Sequence, residues 1–410
     1  MDRDIIKTEM IPVQKAEEIV LQHVIDFGSE DVPFGQSLGR VLARDLKADR
    51  DLPPYDRVTV DGIAINYDAY EKGITSFLIK AVQAAGHTPV AVTAPDECIE
   101  IMTGSALPAG TDTIVRYEDI SISNKYAFVM GGEINKGQNM HFKGKDKKKG
   151  EIVVSAPQLI TPAVLAVAAS VGAKELTVKA LPRTVVISTG DELVDMDRDP
   201  GPYQVRQSNT YTISATLKTY KIEADVLHVR DDREIMKRTL ENCLKQYDVL
   251  LLTGSVSMGK FDYLPEVLKE LGATKLFHKV QQRPGKPMWF GTYQTTTTVF
   301  AFPGNPVSVF LCLHRYFLPW LEACIGFKKE EQYAILSEDL EFAPLLTYFM
   351  QACIKCSKEG KLVATPIKGN GSGDFAHLAE ANAFVELPEN KTKFYRGEVY
   401  KIWPFKNVLK

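Results

Sequence analysis

The chain has 410 residues, 45% of them hydrophobic and 25% charged, with a formal net charge of −3. At roughly 150 residues per domain this predicts two to four domains of an ordinary globular protein, and it excludes a collagenous, mucin-like or wholly disordered chain. The charge balance argues against nucleic acid as the main partner, because phosphate backbones are held by an excess of Lys and Arg.

Met1-Asp2-Arg3-Asp4 leads into no apolar h-region, and no stretch reaches the ~20 apolar residues of a membrane span. The most apolar candidate, Phe310 to Phe327, is interrupted by His314, Arg315 and Glu322. A cytoplasmic protein with no membrane partner is expected. Val13 to Phe27 carries Val13, Ala16, Ile19, Val20 and Val24 at helical spacing and predicts an amphipathic helix, with a shorter helix over Ser37 to Arg44. From Asp49 to about Glu133 the pattern turns to short β-rich runs between Gly and Pro: Phe77-Leu78-Ile79, Ala91-Val92, Thr113-Ile114-Val115 and Tyr126 to Met130. A lysine-dense turn, Lys143 to Lys149, precedes the strand Ile152-Val153-Val154. Thr161 then caps a helix that has Pro162 at its first position and stops at Gly172. The N-terminal helices and this later helix are expected to form one unit, with the β module looped out between them.

From Arg183 to Phe327 apolar strands alternate with helices. Strands are predicted at Thr184–Ser188, Ala224–Val229, Val249–Leu252 and Thr298–Phe302. The helices between and after them are Asn209–Tyr220, a segment capped by Asp231 or Asp232 and running to Gln246, Tyr263–Leu271 and Val307–Ala323. This alternation is the signature of a parallel sheet covered on both faces, a three-layer α/β domain. From Tyr333 onward the chain is strand-rich, with turns at Glu359-Gly360 and Asn370-Gly371, and predicts a small β domain. The fold class is therefore α/β plus β, in several domains. Cys353 and Cys356 form a lone CxxC with no second pair; in the predicted strand Tyr348 to Cys356 they are expected to be packed thiols rather than metal ligands.

Ligands of open α/β sheets bind where parallel strands end and helices begin. Three such loops are rich in Gly and hydroxyls: Ser188-Thr189-Gly190-Asp191-Glu192-Leu193, Thr253 to Asp262 (TGSVSMGKFD), and Pro303-Gly304-Asn305-Pro306. Glycine lets backbone approach an anion, and helix N-termini supply positive potential. Asp191, Glu192 and Asp262 sit badly beside a bare phosphate but well beside one bridged by Mg²⁺. None of the loops is GxxxxGK[ST] or GxGxxG, so this is neither a standard nucleoside triphosphatase nor a dinucleotide domain. Lys286, in the rigid Arg283-Pro284-Gly285-Lys286-Pro287 turn, is a candidate anion ligand.

In this order the segments resemble the molybdopterin molybdenumtransferase family (MoeA, and the C-terminal region of gephyrin) over nearly the whole chain. Pro53 to Ile65 resembles its P-x-x-D-x-S-x-x-D-G-x-A segment. Ile101 to Pro108 with Gly110 and Asp112 resembles TGAPLPxGxD, and Gly144-Lys145-Asp146 its G-x-D turn. Ser188 to Leu193 resembles STGDEL, Gln207-Ser208-Asn209 D-S-N, Leu252 to Asp262 GGVSxGxxD, Pro284 to Pro287 PGKP, and Pro303 to Pro306 PGNP. Gly371-Ser372-Gly373, Ala381-Asn382 and Leu387-Pro388 resemble its last domain.

The resemblance implies Mg²⁺-dependent insertion of molybdate into adenylylated molybdopterin with release of AMP. It also implies an elongated homodimer, whose cleft lies between the α/β domain of one chain and the early domains of the other, and a molybdopterin adenylyltransferase as enzyme partner. The implied division is 1–48 with 141–180 (dimerisation), 49–140 (inserted β module), 181–327 (molybdopterin-binding) and 328–410 (C-terminal β). Carried over residue by residue, the catalytic set is Asp61, Thr103, Glu192, Asp262 and Lys286, and the metal ligands are Glu192, Asp262 and Asp146. The substrate cradle is Thr189, Gly190, Asp191, Asn209, Gly254, Ser255, Ser257, Gly259, Pro303, Gly304, Asn305 and Ser372. The chain departs from the family pattern at Val58 to Ile63, where a serine and a tyrosine are lost, at Ser255 for the second glycine of GGVS, at Lys260, and at Gln207 for an aspartate. These departures raise an alternative, a non-catalytic cofactor-binding or scaffold paralogue of the same fold.

Overall fold

The computed structural model describes residues 10–256, 262–327, 329–369, 373 and 375–406. Its contacts divide these between two units, one drawn from Met1–Val32, Gly39–Ala43 and Thr177–Lys410, the other from Pro33–Leu38 and Arg44–Leu176.

The first unit is built on a six-stranded sheet in the order Asp225–Val229, Thr184–Thr189, Val249–Thr253, Thr297–Phe302, Trp289–Tyr293, Thr274–His278. The first four strands are parallel. The last two, absent from the expected elements, extend the sheet antiparallel, so it is mixed rather than all-parallel. Side-chain alternation sorts its residues cleanly. Val186, Val249, Leu251, Phe300 and Phe302 enter one core with Ile213, Leu217 and Phe317, while Val185, Ile187, Leu250, Leu252, Val299 and Ala301 enter another with Met236, Leu240 and Val267. Each of the Val, Leu, Ile, Phe and Met side chains among them contributes roughly 1.5–3 kcal/mol by leaving water. Both faces are covered, which makes three layers.

The N-terminal helix is shorter than its spacing predicts: Val13–Leu21, with Val13, Ala16 and Val20 buried. Beyond it Trp320 Nε1 donates to His23 O at 2.8 Å, and the Ile25 N–H reaches Cys324 Sγ at 3.4 Å, holding the chain against the helix Leu318–Cys324. Val13, Ala16 and Val20 belong to the first α/β core, and the helix Pro162–Ser170 falls in the other unit. The helix expected over Ser37–Arg44 does not form. Gly39 takes φ +82°, and Val41–Leu42 becomes a strand paired through Leu42 with Val178. The helix expected over Val307–Ala323 runs from Pro306 to Cys324, with a π turn at Leu313–Phe317. Pro319 explains the turn, since it lacks an N–H for the Arg315 carbonyl and its ring crowds that oxygen.

The same unit carries the C-terminal barrel. Thr347–Cys356, Leu362–Pro366, Gln332–Leu336, Val399–Pro404 and Ala383–Leu387 pair in sequence, and the last pairs back to the first. Cys353 and Cys356 lie on one strand three residues apart and so face opposite sides of it. Cys356 is exposed, so the expected pair of packed thiols does not exist.

The second unit holds a six-stranded sheet in the order Thr113–Arg116, Gly62–Ile65, Glu97–Ile101, Ser76–Gln83, Tyr126–Val129, Ile120–Ser123. Ile63, Ile65, Phe77, Cys98, Val115 and Ala127 form its core. Ala91-Val92 is loop rather than strand, and a short helix not expected from sequence, Tyr67–Glu71, is capped by the Asn66 side chain. Among the described residues no helix is long and apolar enough to cross a membrane.

Candidate functional site

Parallel register decides where the glycine turns leave the sheet. Ser188 stands opposite Thr253 and Thr253 opposite Phe302, so Gly190, Gly254 and Pro303-Gly304 emerge at one edge. They are laced together there. Asn209, first residue of the helix Asn209–Thr219, gives one amide proton to Thr253 Oγ1 at 2.9 Å and the other to Gly304 O at 2.7 Å. The Gly254 N–H donates to Phe302 O at 3.3 Å. A Cβ on Gly254 would lie 2.6 Å from Thr189 Oγ1 and 2.8 Å from Thr189 O, and the backbone takes φ +97°, so only glycine fits this approach. Pro303 is buried, while Gly304 and Asn305 are exposed at the start of the helix Pro306–Cys312.

Ser255 also adopts a left-handed backbone, φ +49°. Its hydroxyl accepts from Thr189 Oγ1 at 2.8 Å and donates to Asp231 Oδ1 at 3.3 Å. Asp231, two residues past the neighbouring strand Asp225–Val229, thus joins the edge although no motif singled it out; of the two adjacent acids, Asp232 accepts from the Ile235 N–H and caps the helix, leaving Asp231 to face the turn. That division of labour was the one signal in sequence. Ser188, in turn, meets His228 Nδ1 at 3.0 Å and Gln207 Oε1 at 3.3 Å, and Gln207 also donates to Asp195. Gln207 and the Val205 N–H, which donates to Glu192 O at 2.8 Å, anchor the excursion that carries Asp191 and Glu192. Both of those acids are exposed. Gly190, at φ +133°, gives the Glu192 carboxylate its room, since a side chain on Gly190 would overlap it.

Lys286 is half-buried, and no described residue pairs with its ammonium. Its turn is fixed by Gly285, where a Cβ would lie 2.7 Å from Cys312 Sγ. Asp262 is half-buried, two residues before the helix Leu264–Glu270. Ser257, Gly259, Lys260 and Ser372, and the turn at Asn370-Gly371, lie outside the described residues.

The second unit brings together Asp61 and Thr103: the Thr103 hydroxyl and backbone N–H each donate to Asp61 Oδ1 at 2.6 Å. These two bonds, the hydroxyl's first, hold the Asp61 carboxyl below the usual carboxylate range. Asp146 Oδ1 meets His141 Nε2 at 2.8 Å, and His141 Nδ1 meets the Arg57 guanidinium at 3.2 Å. Because guanidinium only donates, Nδ1 accepts and Nε2 carries the proton toward Asp146. Val58 and Ile63, two of the departures, are fully buried; they alter packing and leave Asp61 exposed on its turn.

Among the described residues no group of three or more His, Cys, Asp and Glu side chains could hold a metal. No three-carboxylate cage is found within either unit among the described residues; Glu192 and Asp262 belong to one unit and Asp146, which meets His141, to the other. Magnesium needs no such cage, since one or two carboxylates and substrate phosphates suffice. Glu192 and Asp231 have no cationic partner among the described residues. Uncompensated hard oxygen donors of this kind fit a divalent cation that arrives with an anion.

A three-layer α/β domain with hydroxyl- and glycine-lined turns at its strand ends, a closed β barrel after it and a β unit before it make a multidomain α/β protein whose strand-end turns suit an anion. Three family profiles cover the chain: the MoeA N-terminal region (domain I and II) at residues 11–172, a probable molybdopterin-binding domain at 185–323, and the MoeA C-terminal region (domain IV) at 333–405. A molybdopterin molybdenumtransferase from Synechocystis is 36% identical over 399 residues, 96% of this chain and 100% of that protein. One from Staphylococcus epidermidis is 29% identical, covering 97% and 96%. The crystal structure of the molybdopterin biosynthesis MoeA protein from Pyrococcus horikoshii superposes with TM-score 0.81 at 27% identity, over 97% of this chain and 100% of that one. The chain belongs to the molybdopterin molybdenumtransferase family, transferases of molybdenum cofactor biosynthesis.

Proposed function

We propose that this chain inserts molybdate into adenylylated molybdopterin with Mg²⁺-dependent release of AMP. The observation that carries the reading is the convergence of three anion-suited turns at one sheet edge, with the Glu192 carboxylate there meeting no cation among the described residues. Bare carboxylates would repel a pyrophosphate, and their presence beside its cradle makes sense when a cation lies between. Glu192 and Asp262 would hold that Mg²⁺. The ion, when bound, neutralises the phosphoanhydride and polarises it. Thr189, Gly190, Asn209, Gly254, Ser255, Gly304 and Asn305 form the cradle, with Asp191 and Pro303 shaping its rim. Lys286 brings a positive charge to the oxyanion or phosphate.

Asp61 with Thr103, and Asp146 with His141 and Arg57, contribute through a homodimer. Ser257, Gly259 and Ser372 belong to the same proposal through the family pattern. So do the four-domain division, a cytoplasmic location and delivery of the adenylylated pterin by an adenylyltransferase.

Purified protein given Mg²⁺, molybdate and adenylylated molybdopterin is expected to release AMP faster with molybdate than without. Tight pterin binding with no AMP release would sink the enzyme reading and favour the binding paralogue. Burial of Val58 and Ile63 speaks against that paralogue, because the departures there are core substitutions.

A further inference from the structure

The turn that carries Lys286 rests on a buried network that no motif singled out. Gln282 is fully buried, and its neighbours orient its amide: the Gly285 carbonyl only accepts, so Nε2 faces it and donates to Gly285 O at 3.2 Å. Oε1 is then left toward Tyr316, whose buried phenol donates to it. The Cys312 thiol, also fully buried, takes the second amide proton at 3.6 Å and lies 3.8 Å from the same Gly285 oxygen. Gly285 is hemmed in, since a Cβ there would lie 2.8 Å from Gln282 Nε2 and 3.6 Å from Ser308 O, on the helix that opens straight after Pro303-Gly304-Asn305. The Lys286 carbonyl is fixed separately, accepting from the Val280 N–H at 2.9 Å and the Met288 N–H at 3.0 Å. What Gln282 sets is therefore the plane of the Gly285–Lys286 peptide. Its carbonyl points to Gln282 and Cys312. Across a trans peptide the N–H points the opposite way, so the Lys286 N–H is turned away from these side chains, and no described residue accepts from it.

We propose that Gln282 is a positioning residue: by holding the Gly285 carbonyl inward it turns the Lys286 N–H outward, so that Lys286 meets a tetrahedral oxyanion with its peptide N–H as well as its ammonium. The inference rests on the reading of Lys286 as an anion ligand. An ammonium on a flexible stem is a point charge that gives an anion little direction. A backbone N–H adds direction without further side-chain ordering, and its bond to an anion is stronger than one between neutral groups. Gln282→Leu would leave the buried Gly285 carbonyl without its amide donor. An unsatisfied buried acceptor favours rotation of the peptide toward water, and glycine on the acceptor side permits that rotation. The same rotation carries the Lys286 N–H inward, away from the anion.

The test uses the full-length protein and two probes run separately, molybdate and inorganic phosphate, with binding read by isothermal titration calorimetry. The site counted is the one lost in Lys286→Met, and the tighter probe tells a molybdate site from a phosphate site. Gln282→Leu is expected to weaken that site about tenfold with its stoichiometry unchanged. Tyr316→Phe keeps the ring, removes only the proton that orients the Gln282 amide, and is expected to weaken the site about threefold; it tests the same network should Gln282→Leu fail to fold. In protein labelled with ¹⁵N-lysine, the Lys286 amide signal is the one absent from Lys286→Arg. Bound anion should move it downfield in the unaltered protein and leave it in place in Gln282→Leu. A Lys286-dependent anion that leaves this signal unmoved in the unaltered protein overturns the role of the N–H, while the anion reading stands. Unchanged affinity in the two network variants, or a loss of sites at unchanged affinity, overturns the role of Gln282. Unaltered protein that binds neither probe in a Lys286-dependent way overturns the anion reading itself, and this inference with it.

Discussion

The two units prepare their acids in opposite ways. In the β unit the acids are already answered: Asp61 by two donors from Thr103, Asp146 by His141, itself held by Arg57. At the edge of the α/β sheet the scaffold is laced just as tightly, through Asn209, Thr253, Thr189 and Ser255, yet the Glu192 carboxylate has no partner among the described residues. Internal hydrogen bonds fix an acid's orientation and keep it ionised. An unanswered acid on a rigid edge keeps its coordination capacity for something that arrives. The difference separates acids that orient from acids that bind.

Removing the unanswered acid gives the largest effect. Glu192→Ala is expected to lower AMP release roughly 10²–10³-fold while stability stays within about 0.5 kcal/mol, as for a surface substitution with nothing to lose. A parallel fall in urea midpoint would show that Glu192 is structural and erase the contrast. Next comes the sheet beneath the answered acids. A methyl on Gly62 would collide with the Val115 carbonyl oxygen, so Gly62→Ala should destabilise the β unit by roughly 3 kcal/mol. Limited proteolysis confined to residues of that unit would confirm it, and unchanged protection would refute the close approach.

Asn209→Ala removes both protons that lace Thr253 to Gly304 and is expected to cost about 1–3 kcal/mol in chemical unfolding. Amide exchange at Gly254 should rise with it; slow exchange there would mean the turns hold without the lacing. The smallest effect sharpens the other side. Thr103→Val removes the main cause of the lowered Asp61 pKa, so carboxyl NMR should find that titration moved back up toward 3.8. The sign follows from linkage. A carboxyl with a lowered folded value stabilises above its unfolded pKa and loses that contribution as pH falls through the folded one. The variant lacks part of that contribution, so its stability should fall less as pH drops below about 4, giving a shallower acid limb.

Much of the scaffold was legible because it rests on local pattern. The four parallel strands are short runs rich in apolar residues, and Thr161-Pro162 marks a helix start by capping chemistry alone. The motif loops could be assigned to strand ends by order. Other features were illegible for stated reasons. Ser37–Arg44 has helix-compatible composition, but Gly39 turns left-handed and Val41–Leu42 finds a strand partner more than a hundred residues away. Trp289–Tyr293 and Thr274–His278 are strands because they pair with each other and Trp289–Tyr293 also pairs with Thr297–Phe302. Cys353 and Cys356 look like a paired motif until a strand sends them to opposite faces.

The sequence by itself determined which turns carry glycine, hydroxyls and acids and which element each one ends, because turns, caps and periodicity act over a few residues. Only the tertiary structure decided which of those residues meet. Asp231 joins Ser255 and Thr189 through the register of three parallel strands, and Val58 and Ile63 became core substitutions through burial. Register and burial are set by contacts between distant segments, whose free energy no local run of residues contains.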